Sequence, residues 1–251
     1  MFKKFVESYL TIKDSLLSPI VLVGYKNPKD REEYDSLIRQ LEPHIVIEQT
    51  NHFKDVDTRE LIKKIPIRTH KHEAFLNIQR IMIKDFPEIA LKYSNPEENI
   101  IYIEDDITFS SKFPEAVKEV SEHLQDKCDF ITLYSPTLRG TNLYDTSREI
   151  TANGYTTKDG VPSYDFVHAI DGGYFYGTPC VSFNRKVLEH LREEWELADT
   201  LGRVWDHKWG RFMYNKEYKV YATRKSYVQH QVGYSNIERK TRNLQSKIFI
   251  E

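Results

Sequence analysis

Three consecutive carboxylic acids, Glu104, Asp105 and Asp106, come directly after an apolar, β-branched run at residues 100–103. The run shows no alternation with polar residues, which predicts a strand buried on both faces. Carboxylates this close repel one another unless a cation or hydrogen-bond donors compensate. Ligands of open α/β sheets bind at the carboxyl ends of the strands, so the triplet is a candidate site for a hard divalent cation and a phosphorylated ligand. The alternative interpretation is an Asp-rich turn in which Asp106 caps the next element.

A second candidate site is the sequence Asp171, Gly172 and Gly173. Paired glycines let the backbone approach a ligand closely, and the neighbouring carboxylate can accept hydrogen bonds from hydroxyl groups. An ordinary tight turn would have the same composition. The segment therefore predicts either an acceptor-binding turn or a purely structural one.

A third candidate is the start of a predicted aromatic-rich helix, where Asp206 lies between Trp205 and Trp209. A carboxylate at a helix start is often only a cap. Beside a sugar-sized pocket walled by the two indole rings, however, Asp206 would be placed to take a proton from an acceptor hydroxyl.

The last candidate is His230, which has apolar neighbours and ends a predicted strand. A single histidine is more often structural than a ligand. Imidazole nevertheless suits a Mn²⁺ site that carboxylates complete.

The elements that must position these side chains alternate between strand and helix, which predicts an α/β fold with a largely parallel sheet. Asn184 is the expected N-cap of the helix predicted over 185–199. Residues 135–171 are rich in turn-forming types and predict either a functional loop or a peripheral hairpin. Strands are expected over 20–25, 44–48, 100–104, 129–134 and 174–183, and helices over 29–40, 70–86 (ending before Pro87), 114–124 and 185–199.

Composition narrows the class of protein further. The 251 residues suit one or two domains, and the only cysteines, Cys128 and Cys180, match neither a disulfide framework nor a zinc cluster, which favours a reducing compartment. The sequence has no apolar segment long enough to span a bilayer, so we expect a cytoplasmic protein without stable membrane insertion.

Charge is unevenly distributed along the chain. The net charge is −2, yet residues 207–251 carry ten Lys or Arg and three Glu, a net charge of +7. This asymmetry favours a polyanionic partner such as a nucleoside diphosphate, a phosphorylated acceptor or nucleic acid. A solvated basic tail is the alternative.

The order of these features is similar to that of nucleotide-sugar glycosyltransferases with the GT-A fold. An α/β half comes first, then the acidic strand end, the glycine pair, the acidic helix start and a late Gln-His-x-x-Gly-x-Ser at 229–235. The family's DxD motif corresponds here to Glu104, Asp105 and Asp106. The resemblance runs over about 20–235, although each motif is short. It implies a single Rossmann-like domain over 1–251, with a nucleotide-sugar half over 1–134 and an acceptor half with the basic segment over 135–251.

The resemblance also implies a role for each candidate residue. Mn²⁺ or Mg²⁺ would be held by Asp106 and His230 and would bridge the donor diphosphate. Asp206 would be the general base of an inverting displacement. Asp171 is the second catalytic candidate and would position the acceptor together with Gly172, Gly173, Trp205 and Trp209. The ribose or an outer-shell water would be contacted by Glu104 and Asp105, and the base by Gly24 and Tyr25. The phosphates would be bound by Arg224 and Lys225, with Lys240 as a further candidate.

The acceptor and the class of enzyme stay open at this level. A glycan is the leading acceptor, and a hydroxymethylated DNA base ranks below it. A metal-dependent phosphodiesterase or nuclease is one alternative, for which His70, His72 and His168 are the available extra ligands. A non-catalytic nucleotide- or glycan-binding domain is the other. No sequence feature indicates a protein partner, an oligomeric state or the donor sugar.

Overall fold

The structure is a computed structural model. It describes residues 2–15, 20–24, 31–41, 45–48, 57–65, 71–134, 158, 160–172, 175, 177–194, 204–235, 240–242, 245–246 and 249–251. Tyr25, His70, Gly173 and most of the turn-rich segment at 135–171 lie outside these ranges, and so does the predicted end of the helix over 185–199.

Seven strands form the central sheet, in the order β2-β1-β3-β7-β5-β8-β6. All strands but β6 and β7 run in the same direction within this sheet. The predicted α/β class with a mostly parallel sheet is therefore confirmed, with β7 inserted antiparallel between β3 and β5. In chain order the strands are β1 (Ile20–Gly24), β2 (Ile45–Glu48), β3 (Ile100–Glu104), β4 (Ile107–Phe109), β5 (Phe130–Thr132), β6 (Val167–Ala169), β7 (Cys180–Phe183), β8 (Val220–Thr223), β9 (Val228–His230), β10 (Gly233–Ser235) and β11 (Lys240–Arg242).

The helices lie between these strands. Among the described residues, no helix has the length and apolar character needed to cross a bilayer. The helices are α1 (Phe2–Leu10), α2 (Arg31–Arg39), α3 (Arg59–Lys64), α4 (Glu73–Arg80), α5 (Phe86–Tyr93), α6 (Phe113–His123), α7 (Arg185–Glu194) and α8 (Trp205–Asn215).

Two predicted boundaries differ substantially from the described structure. Helical structure does not end before Pro87, because a π-helical segment (Ile81–Asp85) joins α4 to α5 and Pro87 falls in the first turn of α5. A proline is tolerated there because its missing N–H would have no partner in that turn. The strand expected over 174–183 begins only at Cys180, and Gly177 before it has a φ of +81°.

Strand β3 is buried on both faces, as its uninterrupted apolar run predicts. Ile100 and Tyr102 belong to one hydrophobic cluster, and Ile101 and Ile103 belong to another on the opposite face. This alternation follows from the two-residue period of a strand. The strand is thereby fixed in the middle of the fold, and its carboxyl end delivers Glu104 to the edge of the sheet.

Helix α8 packs against the core through a glycine contact. A Cβ atom added to Gly210 would lie 2.5 Å from the carbonyl oxygen of Gly172 and 2.9 Å from the Cβ of Phe175. Such distances are far inside van der Waals contact, so only glycine permits this approach of helix and backbone.

We therefore expect Gly210→Ala to destabilise the protein, although alanine favours helix by about 1 kcal/mol over glycine. Overpacking against rigid backbone costs roughly 1–3 kcal/mol, which outweighs that gain. Urea unfolding monitored by circular dichroism measures the difference. A variant as stable as the wild type would show that the helix can move away from Gly172 without cost.

Both thiols are buried in the core. Burial raises the pKa of Cys128 to about 12, and burial, with Glu104 nearby, raises that of Cys180 well above its usual range. Because the thiolate is the reactive form, we expect neither cysteine to react with Ellman's reagent in the native protein, and both to react once denaturant is added. Rapid labelling of the folded chain would contradict this burial.

Candidate metal centre

A β-ribbon brings His230 next to Asp106. Strand β4 starts directly after Asp106 and pairs antiparallel with β9, so that Ile107 lies opposite His230. The backbone N–H of Gln231 also donates to the carbonyl oxygen of Asp106 at 2.8 Å. Two residues that are far apart in the chain therefore meet at the carboxyl end of β3.

Glu104, Asp106 and His230 form a cluster that could hold a metal ion. Each offers one ligand atom, and these atoms all lie within 4.8 Å of one another. His230 Nε2 is 3.3 Å from Asp106 Oδ2, and the two side chains are 12% and 28% exposed. Two carboxylates and an imidazole are a donor set that suits Mn²⁺ and related divalent cations.

The imidazole of His230 is oriented by the backbone. Its Nδ1 lies 2.8 Å from the carbonyl oxygen of Gln231. A carbonyl can only accept, so Nδ1 carries the hydrogen and, in the neutral ring, the lone pair of Nε2 points to the carboxylate side. Metal-binding histidines are commonly oriented by such a bond on their other nitrogen.

The charges of the two carboxylates are only partly compensated. Asp106 Oδ1 is buried, and no hydrogen-bond donor among the described residues reaches it. Burial, and next the charge of Asp106, raises the pKa of Glu104 to about 8, while burial also raises the pKa of Asp106 against the opposing effect of His230. A buried acceptor without a donor and two carboxylates with raised pKa values are what a cation would relieve.

These pKa shifts predict how the stability of the metal-free protein depends on pH. The folded chain binds the Glu104 proton more tightly than the unfolded chain, whose carboxyl has a pKa near 4.5. The contribution of Glu104 to the free energy of unfolding should therefore be largest below about pH 4.5 and should decline as the pH rises towards 8.

Thermal unfolding in EDTA between pH 5 and pH 8 measures this slope. We expect it to be reduced in Glu104→Gln, which has no proton to lose at this position. An unchanged slope in the variant would show that Glu104 does not titrate in this range.

Glu104 and Asp206 lie in the same region of the sheet edge. The carboxylate of Asp206 accepts a hydrogen bond from the backbone N–H of Gly177 at 2.9 Å and from that of His207 at 2.7 Å. The charge of Asp206 also contributes to the raised pKa of Glu104. The structure thus brings the acidic start of α8 close to the candidate metal ligands.

Gly24 and Asp105 also lie at this edge. Val23, the residue before Gly24, pairs with Glu104 in the parallel β1–β3 ladder. Asp105 lies in the turn between β3 and β4 and is not one of the three clustered ligands.

Both tryptophans belong to one core cluster, and Trp205 also contacts a residue next to Glu104 in space. The indole N–H of Trp205 donates to the hydroxyl of Thr178 at 3.2 Å. Trp209 is fully buried, with its ring 5.0–5.9 Å from those of Phe86, Tyr102 and Phe183. The expectation that both rings wall an acceptor pocket is therefore corrected, because Trp209 presents no face to a ligand.

The Asp171 segment has a packing role in the described structure. Asp171 is buried, and a Cβ on Gly172 would meet Val220 at 3.1 Å and the carbonyl of Gly210 at 3.2 Å. Gly172 is thus enclosed by the core and α8, so the structure favours the tight-turn interpretation for it over contact with an acceptor.

Arg224 and Lys225 follow β8, which is separated from β3 by two strands in the sheet. Three strand spacings amount to about 14 Å. The guanidinium of Arg224 donates to the carbonyl oxygen of Tyr164 at 3.0 and 3.2 Å and contacts His168 Nε2 at 3.0 Å. In the described structure the guanidinium of Arg224 thus contacts the β6 side of the sheet, and its assignment to the donor phosphates stays a prediction.

The extra histidines considered for a two-metal site are also engaged elsewhere. His72 caps α4 by accepting a hydrogen bond from the N–H of Phe75, and His168 contacts Arg224. Within the described ranges, Glu104, Asp106 and His230 are the one group of three or more metal-ligating side chains close enough to share an ion.

Thr178 is a site residue that sequence reasoning missed. Its hydroxyl donates to Glu104 Oε1 at 2.7 Å. No local motif marks it; it reaches Glu104 because β7 pairs antiparallel with β3, with Cys180 opposite Ile103. An antiparallel strand inserted into a mostly parallel sheet was not predictable from the spacing of apolar residues.

Comparisons with known proteins add little to this geometry. No family model matches the chain. No curated protein matches it either. A solved structure, the apo form of mouse xyloside xylosyltransferase 1, is similar over 86% of this chain and 72% of its own, with 13% sequence identity and a TM-score of 0.37. A TM-score this low supports no conclusion about fold or function.

Proposed function

We propose that this protein is a metal-dependent glycosyltransferase. It would move a hexosyl or pentosyl group from a nucleotide-sugar donor to an acceptor hydroxyl. The observation that carries the proposal is the convergence of Glu104, Asp106 and His230 at the carboxyl end of β3, with Asp106 Oδ1 buried and without a donor in the described structure. Ligands of α/β sheets bind at this end of the strands.

The cation in this proposal is Mn²⁺ or Mg²⁺. Asp106 and His230 hold it, and Glu104 completes the protein ligands from the end of β3. When bound, such a cation neutralises the charge that develops on a diphosphate leaving group. In the proposed donor complex, Asp105 of the DxD-type triplet contacts the ribose or an outer-shell water. Gly24 and Tyr25 lie near the nucleotide base.

Asp206 is our candidate for the general base of an inverting displacement. Two backbone N–H groups fix its carboxylate, so its orientation does not depend on the ligand. A positioned carboxylate can take the acceptor proton as the sugar–oxygen bond forms. Trp205, Asp171 and Gly173 remain acceptor-side candidates, and Arg224 and Lys225 remain candidates for the donor phosphates.

The acceptor we propose is a glycan, with a hydroxymethylated DNA base as the second candidate because of the basic segment at 207–251. We place the nucleotide-sugar half over 1–134 and the acceptor half over 135–251. Two buried, unpaired cysteines suit a reducing compartment, and we propose the cytoplasm.

A single three-ligand cluster among the described residues favours this proposal over a two-metal phosphodiesterase. Thermal unfolding against a panel of nucleoside diphosphates and nucleotide sugars, with and without Mn²⁺, tests it. A ligand at a hundred times its Kd stabilises by about 2.7 kcal/mol, which raises Tm by roughly 5–10 °C at this chain length. A metal-dependent rise with one nucleotide identifies the donor class, and no rise with any of them contradicts the proposal.

A further inference from the structure

Thr178 lies between a proposed metal ligand and the start of helix α8. Its side chain is buried, at 2% exposure. Its hydroxyl oxygen is 2.7 Å from Glu104 Oε1 and 3.2 Å from the indole nitrogen of Trp205. Three elements, β3, the segment before β7 and α8, therefore meet at one hydroxyl group.

The direction of these hydrogen bonds is fixed by chemistry. An indole N–H can only donate, so the Thr178 oxygen accepts from Trp205. The hydroxyl hydrogen is then left for the carboxylate of Glu104. A hydroxyl held by a donor on one side is oriented towards its acceptor on the other, and such chains of hydrogen bonds reinforce one another.

The backbone around Thr178 is fixed as well. The N–H of Glu104 donates to the carbonyl oxygen of Pro179 at 2.9 Å, which continues the β3–β7 ladder past Cys180. Gly177 has a φ of +81°, a conformation that favours glycine, and its N–H donates to Asp206 at 2.9 Å. The dipeptide Gly177–Thr178 thus contacts Glu104 through a side chain and Asp206 through the backbone.

We propose that Thr178 is a positioning residue for the cation site. Its hydroxyl donates a hydrogen bond to Oε1 of Glu104, so that Oε2 is the oxygen that binds the cation. The same dipeptide holds Asp206, so the metal ligand and the proposed base keep a fixed relative position. This inference rests on the proposed function in taking Glu104 as a ligand of the cation.

The test compares Thr178→Ala with Thr178→Ser in the full chain. These two variants differ from each other by a single oxygen atom. Mn²⁺ alone is titrated, and the free ion is followed by its electron paramagnetic resonance signal. Removing a group that orients a metal ligand typically weakens metal binding by roughly 10–100-fold. We expect this loss in Thr178→Ala and recovery of nearly the full affinity in Thr178→Ser.

A merely structural role predicts a different pattern. Both variants lose the threonine methyl group, so a packing defect would weaken Mn²⁺ binding in both, and this outcome would overturn the inference. Thr178→Val keeps the side-chain volume without the hydroxyl and should bind as weakly as Thr178→Ala, which keeps the test valid if the alanine variant does not fold. Unfolding in EDTA establishes that each variant is folded at the titration temperature.

The outcomes separate this inference from the proposed function. Full Mn²⁺ affinity in folded Thr178→Ala or Thr178→Val would overturn the role of Thr178 and leave the glycosyltransferase proposal intact. Failure of the wild-type chain to bind Mn²⁺ would overturn both.

Discussion

Asp106→Asn is expected to abolish the Mn²⁺-dependent rise in Tm with the donor nucleotide. The variant loses one of three ligands, and an amide is a poor ligand for a hard cation compared with a carboxylate. At a Mn²⁺ and nucleotide concentration that raises the wild-type Tm by roughly 5–10 °C, we expect no rise in the variant. Differential scanning fluorimetry in matched buffers with Mn²⁺ or EDTA measures the effect.

The metal-free variant should behave differently. Burial of Oδ1 raises the pKa of Asp106, so the charge of this carboxylate destabilises the folded chain at neutral pH. Asparagine has no charge to bury, and we expect the Tm in EDTA to be equal to or higher than that of the wild type. The matched control is Asp126→Asn, an exposed aspartate in the turn after α6, which should keep the full metal-dependent rise. A metal-dependent rise retained in Asp106→Asn would refute the metal assignment.

Asp206→Asn should leave metal and donor binding intact and slow turnover. Loss of a general base lowers rates by roughly 10²–10⁴-fold. The N–H groups of Gly177 and His207 donate to different oxygens of the Asp206 carboxylate, so asparagine keeps an acceptor for only one of them. Thermal unfolding in EDTA therefore has to establish that the variant is folded. Release of nucleoside diphosphate under saturating donor and Mn²⁺ gives the rate, and thermal shift gives the binding.

Comparing the turnover rate with the metal-dependent thermal shift distinguishes the role of Asp206 from that of Asp106. A fall in rate with an unchanged thermal shift supports a base. Loss of both would instead place Asp206 in donor binding. Turnover at the wild-type rate would remove it from the chemistry, and Asp126→Asn again serves as the charge-matched control.

Much of the fold was predictable because its signals are local. The run at β3 is apolar without interruption, and burial on both faces follows directly from that. Asn184 was predictable as an N-cap from its residue type, and its Oδ1 accepts from the N–H of Lys186 at 3.0 Å. Helical continuity through Pro87 was not predictable, since proline more often ends a helix than opens the next one.

The site was predictable only in part, because its members meet through tertiary pairing. Asp106 and His230 could be proposed from their chemistry, yet their proximity depends on the β4–β9 ribbon. Trp205 and Trp209 belong to the same core cluster, but Trp209 is fully enclosed, whereas the indole N–H of Trp205 reaches Thr178 at the site. The side of helix α8 that faces the central sheet decides which indole is enclosed and which reaches the site. A single sequence does not show where that sheet lies relative to the helix.

The central claim is that Glu104, Asp106 and His230 hold one divalent cation. Crystals grown with Mn²⁺ and measured near the manganese absorption edge test it most directly. We expect an anomalous difference peak between the three side chains, at about 2.0–2.3 Å from a carboxylate oxygen of Asp106 and from Nε2 of His230. An empty position there, in crystals that bind Mn²⁺ elsewhere or not at all, would contradict the account.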